Sequence, residues 1–148
     1  MKIKLFLFIS LLATPTLAQD GSITLYQNLC KSCHQSKEEL FTNKNINKKF
    51  FNQTLYKMFT TYSNYKPTKQ QLDNMKLLAK ATANKKLYIE ITKVDKEITG
   101  ETNSPIKIKS NGKIALTNDT FTIPNKTFTV EHNNKIYNFK NIIGTYIK

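Results

Sequence analysis

Near residue 84 the spacing of apolar residues changes from a helical period to a strand period. Before it, Phe51, Leu55, Met58, Phe59 and Tyr62 stand at i, i+4, i+7, i+8 and i+11, one face of an amphipathic helix. After it, Leu87, Ile89 and Ile91 stand at every second position. So do Ile106 and Ile108, Ile114 and Leu116, Phe121 and Ile123, and Phe128 and Val130. A period of two belongs to strands that bury one face. The two patterns in succession predict an α+β fold. A small helical module over residues 19–84 is followed by a small antiparallel β module of hairpins over residues 85–148, with Asn84 at the join. Modules of this size bury little surface alone, so each needs the other, or a staple, to be stable.

Within the first module, Ile23, Tyr26 and Gln27 lead into Leu29 and Cys30 as one helix of modest length. The lysine- and asparagine-rich residues 42–49 read as a loop. Pro67-Thr68 starts another helix, with Thr68 as N-cap, Gln71 three places on, and Leu72, Met75, Leu78 and Ala79 facing inward. In the second module, Asn111-Gly112 marks a two-residue hairpin turn and Asn133-Asn134 a weaker one, while residues 142–147 close the sheet. Nothing among Thr92, Lys93, Asp95, Glu97 and Glu101 forms a catalytic or metal cluster, and these acids read as surface groups. The β half either caps the helical module or docks it to a partner through a basic outer surface.

Met1-Lys2-Ile3-Lys4, the apolar residues 5–13 and the small residues Thr16 and Ala18 have the order of an export signal. Cleavage is expected after Ala18, giving a signal peptide over residues 1–18 and a periplasmic mature protein. The apolar run is shorter than the ~20 residues that span a bilayer, so no stable membrane insertion is expected after cleavage. Gln19 rather than cysteine follows the cut, which gives no sign of a lipid anchor.

The formal charge is +13, and removing Lys2 and Lys4 leaves +11. Such a balance suits an acidic protein, an anionic membrane surface or nucleic acid. An AT-rich coding sequence also yields many lysines without arginine. Nucleic acid is not expected, because export separates the chain from it and no arginine is present to read base edges.

The two cysteines sit in Cys30-Lys31-Ser32-Cys33-His34. Residues three apart share one face of a helical turn. Both thiols can therefore reach the two vinyl groups along one haem edge, while His34 turns over the ring towards iron. This is the pattern of c-type haem attachment. Other uses of the pair remain open: a redox-active or structural disulfide, or half of a zinc site that needs two further ligands.

Residues 21–83 resemble the small class I cytochromes c. The resemblance rests on Gly21, on Tyr26 four residues before Cys30, on the Cys-x-x-Cys-His pattern ending a first helix, and on a last helix led by Pro67-Thr68 and running through Gln71-Leu72-Asp73. It implies one covalent haem c on Cys30 and Cys33, with His34 as proximal iron ligand. It also implies a distal methionine before the last helix. Met58 lies nearest that place; Met75 and His132 are alternatives, as is an open face. The implied role is single-electron transfer in the periplasm with a redox partner acidic at its docking surface, not an enzyme. Two rivals stand beside it: an open-site haem protein acting on peroxide or a gas, and a haem-free secreted binding module with a Cys30–Cys33 disulfide. The C-terminal half resembles no family.

Overall fold

The structure, a computed structural model, describes residues 20–49 and 51–148. The expected signal peptide lies outside them. Among the described residues five helices come first: α1 Ser22–Leu29, α2 Lys37–Leu40, α3 Asn43–Ile46, α4 Phe51–Lys57 and α5 Lys69–Ala83. A π-helical stretch, Met58–Tyr62, continues α4. Most starts are written locally. Ser36 accepts from the Glu39 amide and Thr42 from the Asn45 amide. At α5 the Gln71 amide donates to Thr68 Oγ1 at 3.2 Å while the Thr68 amide donates to Gln71 Oε1 at 2.9 Å, a complete capping box. The helices bury Ile23, Leu25, Tyr26, Phe41, Leu55, Phe59, Met75, Leu78 and Ala79 in one cluster. Each of the larger side chains contributes roughly 1.5–3 kcal/mol relative to exposure.

Eight antiparallel strands follow: β1 Tyr88–Val94, β2 Glu97–Thr102, β3 Ile106–Ser110, β4 Lys113–Thr117, β5 Thr120–Pro124, β6 Phe128–His132, β7 Lys135–Phe139 and β8 Gly144–Ile147. They form two sheets, β5-β2-β1-β8 and β4-β3-β6-β7. Leu87, Ile89 and Ile91 point between the sheets into a core shared with Ile98, Ile106, Ile108, Phe121, Phe128, Val130 and Phe139. Phe128 and Phe139 are paired across β6 and β7 and stack at 5.4 Å. The opposite face of β1 is also buried, and its Tyr88 belongs to the helical cluster. The molecule therefore has three layers: helices, first sheet, second sheet. In the turns, Asn111 and Gly112 have φ of 50° and 75°, and Asn133 and Asn134 have 49° and 60°. Both therefore have the positive φ values of type I′ hairpins.

Three expectations need correction. Within residues 42–49, the Thr42 cap supports the one-turn helix α3 rather than a loop. Ile114 and Leu116 do not enter the core; they are 60% and 79% exposed. The tight turn at 111–112 pairs Ser110 with Lys113, which puts Ile114 opposite Lys109 and Leu116 opposite Lys107. Turn geometry thus fixes the register and sends the apolar set to the outer face. Glu101 is not a surface group: it is 3% exposed, because β2 turns it towards the helices. Among the described residues no helix is long and apolar enough to cross a membrane.

Candidate functional site

Helix α1 ends at Leu29, and the chain makes one further turn before leaving the helical path. The Cys30 amide donates to Tyr26 O at 2.9 Å, and the Cys33 and His34 amides donate to Cys30 O at 3.1 and 3.0 Å. The Tyr26 hydroxyl reaches across this turn and donates to the His34 carbonyl at 3.3 Å. Its ring is tilted against Phe41 at 5.9 Å. Burial raises the Tyr26 pKa, and Cys30, Glu38 and Glu39 add to it, so the hydroxyl keeps its proton. Both thiols are unpaired. Cys33 is exposed, whereas Cys30 is 1% exposed among the core side chains, and burial, followed by Cys33, pushes its pKa to about 11.

His34 lies on a cleft of about 220 Å³ with Leu40, Phe41, Phe51 and Leu55 as apolar walls, Asn45, Lys48 and Thr54 as polar positions, and Met58 on α4's continuation. The π-helical stretch begins at Met58, and such stretches recur at functional sites. The structure thus brings His34 and Met58 to one cleft. Neither cysteine lines it. Met75 is fully buried in the helical core. His132 lies in the β module, where Nδ1 donates to Pro105 O at 3.1 Å and Nε2 accepts from Asn133 Nδ2 at 3.0 Å. Its groove is lined by residues of the β module alone. Among the described residues no group of three His, Cys, Asp or Glu side chains is placed to hold a metal ion.

Sequence reasoning missed a buried carboxylate pair. Glu90 and Glu101 stand directly opposite on β1 and β2, an arrangement of like charges that is unfavourable by itself. Both point at the start of α1, which has no side-chain cap of its own. Glu101 Oε2 accepts from the Ile23 amide at 2.7 Å and the Thr24 amide at 3.2 Å, and Oε1 accepts from the Thr24 hydroxyl. Glu90 accepts from the Ser22 amide at 2.9 Å, from the Tyr88 hydroxyl at 2.7 Å and from Asn74 Nδ2 at 2.8 Å. The β module therefore caps the helix that leads into the Cys30–His34 turn, and the positive end of the helix dipole favours the negative charge there. Burial raises the Glu101 pKa, the Thr24 and Ile23 donors pull it down, Glu90 raises it further, and the balance is upward. The one legible signal is a glutamate inside a run otherwise apolar on both faces, Leu87-Tyr88-Ile89-Glu90-Ile91.

Comparison with protein-family models, with curated proteins and with solved structures returns no match.

Proposed function

We propose that the chain is a periplasmic monohaem electron carrier in which Cys30 and Cys33 hold one haem c, His34 is the proximal ligand and Met58 the distal ligand. One observation carries this reading: an imidazole and a thioether, from separate elements, line one apolar cleft directly after a Cys-x-x-Cys-His turn. That pair is the donor set of a six-coordinate haem with a raised reduction potential. A bound haem supplies the one-electron couple. The chain's own groups do the rest. Leu40, Phe41, Phe51 and Leu55 exclude water from the cleft, and the Tyr26 hydroxyl holds the His34 carbonyl and with it the turn. Attachment requires the Cys30 thiol to turn out of the core, while Cys33 is already at the surface. Asn45 and Lys48 are the cleft's polar side chains that would be available to a haem's carboxylates.

The test is expression with a haem-attachment system, followed by reduced and oxidised spectra. A low-spin spectrum that survives denaturation, and is lost in Cys30→Ala/Cys33→Ala, is expected. Met58→Ala should open the ferrous iron to carbon monoxide while the fold persists. If the wild type already binds carbon monoxide freely, the open-site reading replaces the carrier. A colourless, folded protein with paired cysteines replaces both.

A further inference from the structure

We infer that the outer face of the sheet β4-β3-β6-β7 is a docking surface for an anionic lipid layer. The register places Leu116, Lys107, Glu131 and Ile136 in one row across the four strands, and Ile114, Lys109, Thr129 and Asn138 in the next. Ile114, Leu116 and Ile136 are 60%, 79% and 64% exposed. The opposite face of this sheet supplies the inter-sheet core, so the three aliphatic side chains are excluded from it by register. On the edge strand β4, Leu116 and Ile114 lie beside Lys107 and Lys109, and on the edge strand β7 Ile136 lies beside Glu131. Neighbouring strands are ~4.8 Å apart, so β4 and β7 lie ~14 Å apart, and the patch is a broad sheet face whose Leu116, Lys107 and Glu131 border the groove beside His132.

Charge selects the occupant. Among the described residues, Lys107 and Lys109 stand on this face against Glu131 alone, and Lys113 and Lys135 add two positive charges at the strand ends beside the hairpin turns. That glutamate is held by Lys107 at 3.5 Å and Lys109 at 3.9 Å. No negative group is left uncompensated on the face. A second copy laid face to face would oppose lysine with lysine, which is unfavourable. The aromatic and arginine anchors that dominate protein interfaces are absent from both rows. Aliphatic side chains beside lysines on a broad face suit a bilayer surface: the ammonium groups meet phosphates and the aliphatic groups enter the acyl boundary.

The experiment is co-sedimentation of the full exported chain with phosphatidylcholine vesicles containing about one third phosphatidylglycerol, and with phosphatidylcholine alone. Binding to the anionic vesicles at low salt is expected, at least tenfold weaker to neutral ones, and weakened by salt. Ile114→Asn/Leu116→Asn should lower the anionic partition at least tenfold with an unchanged circular dichroism spectrum. Lys109→Gln should lower it about fivefold. Equal binding to neutral vesicles, or no binding, overturns the proposal. So does anionic binding that ignores the double substitution, since the contact would then rest on lysines elsewhere. A wild-type dimer made monomeric by the double substitution would assign the face to a second copy instead. None of these outcomes depends on the haem.

Discussion

Replacing Glu101 with alanine removes the carboxylate that caps α1 from the neighbouring sheet. The buried Ile23 amide and the half-buried Thr24 amide lose acceptors at 2.7 and 3.2 Å, and the Thr24 hydroxyl loses its partner. Leaving a donor without its acceptor in a buried site costs about 1–3 kcal/mol, so the two amides alone account for roughly 2–6 kcal/mol. The variant recovers part of this, because it no longer buries a charge and no longer opposes Glu90 across the strands. The net loss should be about 3 kcal/mol, which lowers Tm by about 10 °C for a domain of this size. The chain has no tryptophan, so urea unfolding is best followed by far-ultraviolet circular dichroism. Glu97→Ala, an exposed acid on the same strand, is the control and should change stability by less than about 0.5 kcal/mol. If Glu101→Ala is as mild as the control, the carboxylate is not the cap of α1.

Further outcomes follow from the same geometry. The Glu101 pKa is raised, so the folded state binds its proton more tightly than the unfolded chain does. Its contribution is complete below the ordinary glutamate range and is lost as pH rises through the raised value. The stability gap between wild type and Glu101→Gln should therefore be widest at acid pH and narrow towards neutrality, as urea titrations at several pH values will read. Gly100→Ala places a Cβ 2.4 Å from the Phe121 ring and 2.8 Å from the Glu90 carbonyl. Because a backbone oxygen cannot swing aside, a loss of about 1–3 kcal/mol in urea unfolding is expected. Tyr26→Phe leaves the His34 carbonyl without its donor and should cost about 1 kcal/mol, with a shifted midpoint potential in the haem-loaded protein.

Local rules made much of the fold readable. The 3.6-residue stripe located α4, the Thr68–Gln71 box located the start of α5, and the two Asn-containing turns located hairpins whose backbone has the required positive φ. Register was harder. The alternation of Ile114 and Leu116 correctly marks a strand but does not say which face is buried; the two-residue turn decides that, and it decides for solvent. Glu90 and Glu101 escaped because their partners are the backbone amides of a helix 68 to 78 positions away, which no local pattern encodes. For the site, the sequence supplied the Cys30–His34 turn and the candidacy of Met58. That both His34 and Met58 border one cleft depends on how α1 and α4 each pack against α5. The burial of Cys30 was not legible, since its place in the core follows from that same packing.

The central claim, a covalent haem on Cys30 and Cys33, is tested most directly by the intact mass of the denatured protein after expression with a haem-attachment system. A chain heavier by one haem is expected, with the pyridine haemochrome spectrum of two thioether bonds, and no added mass in Cys30→Ala/Cys33→Ala. A folded chain of unmodified mass, produced in a host that loads other Cys-x-x-Cys-His sequences, would contradict it.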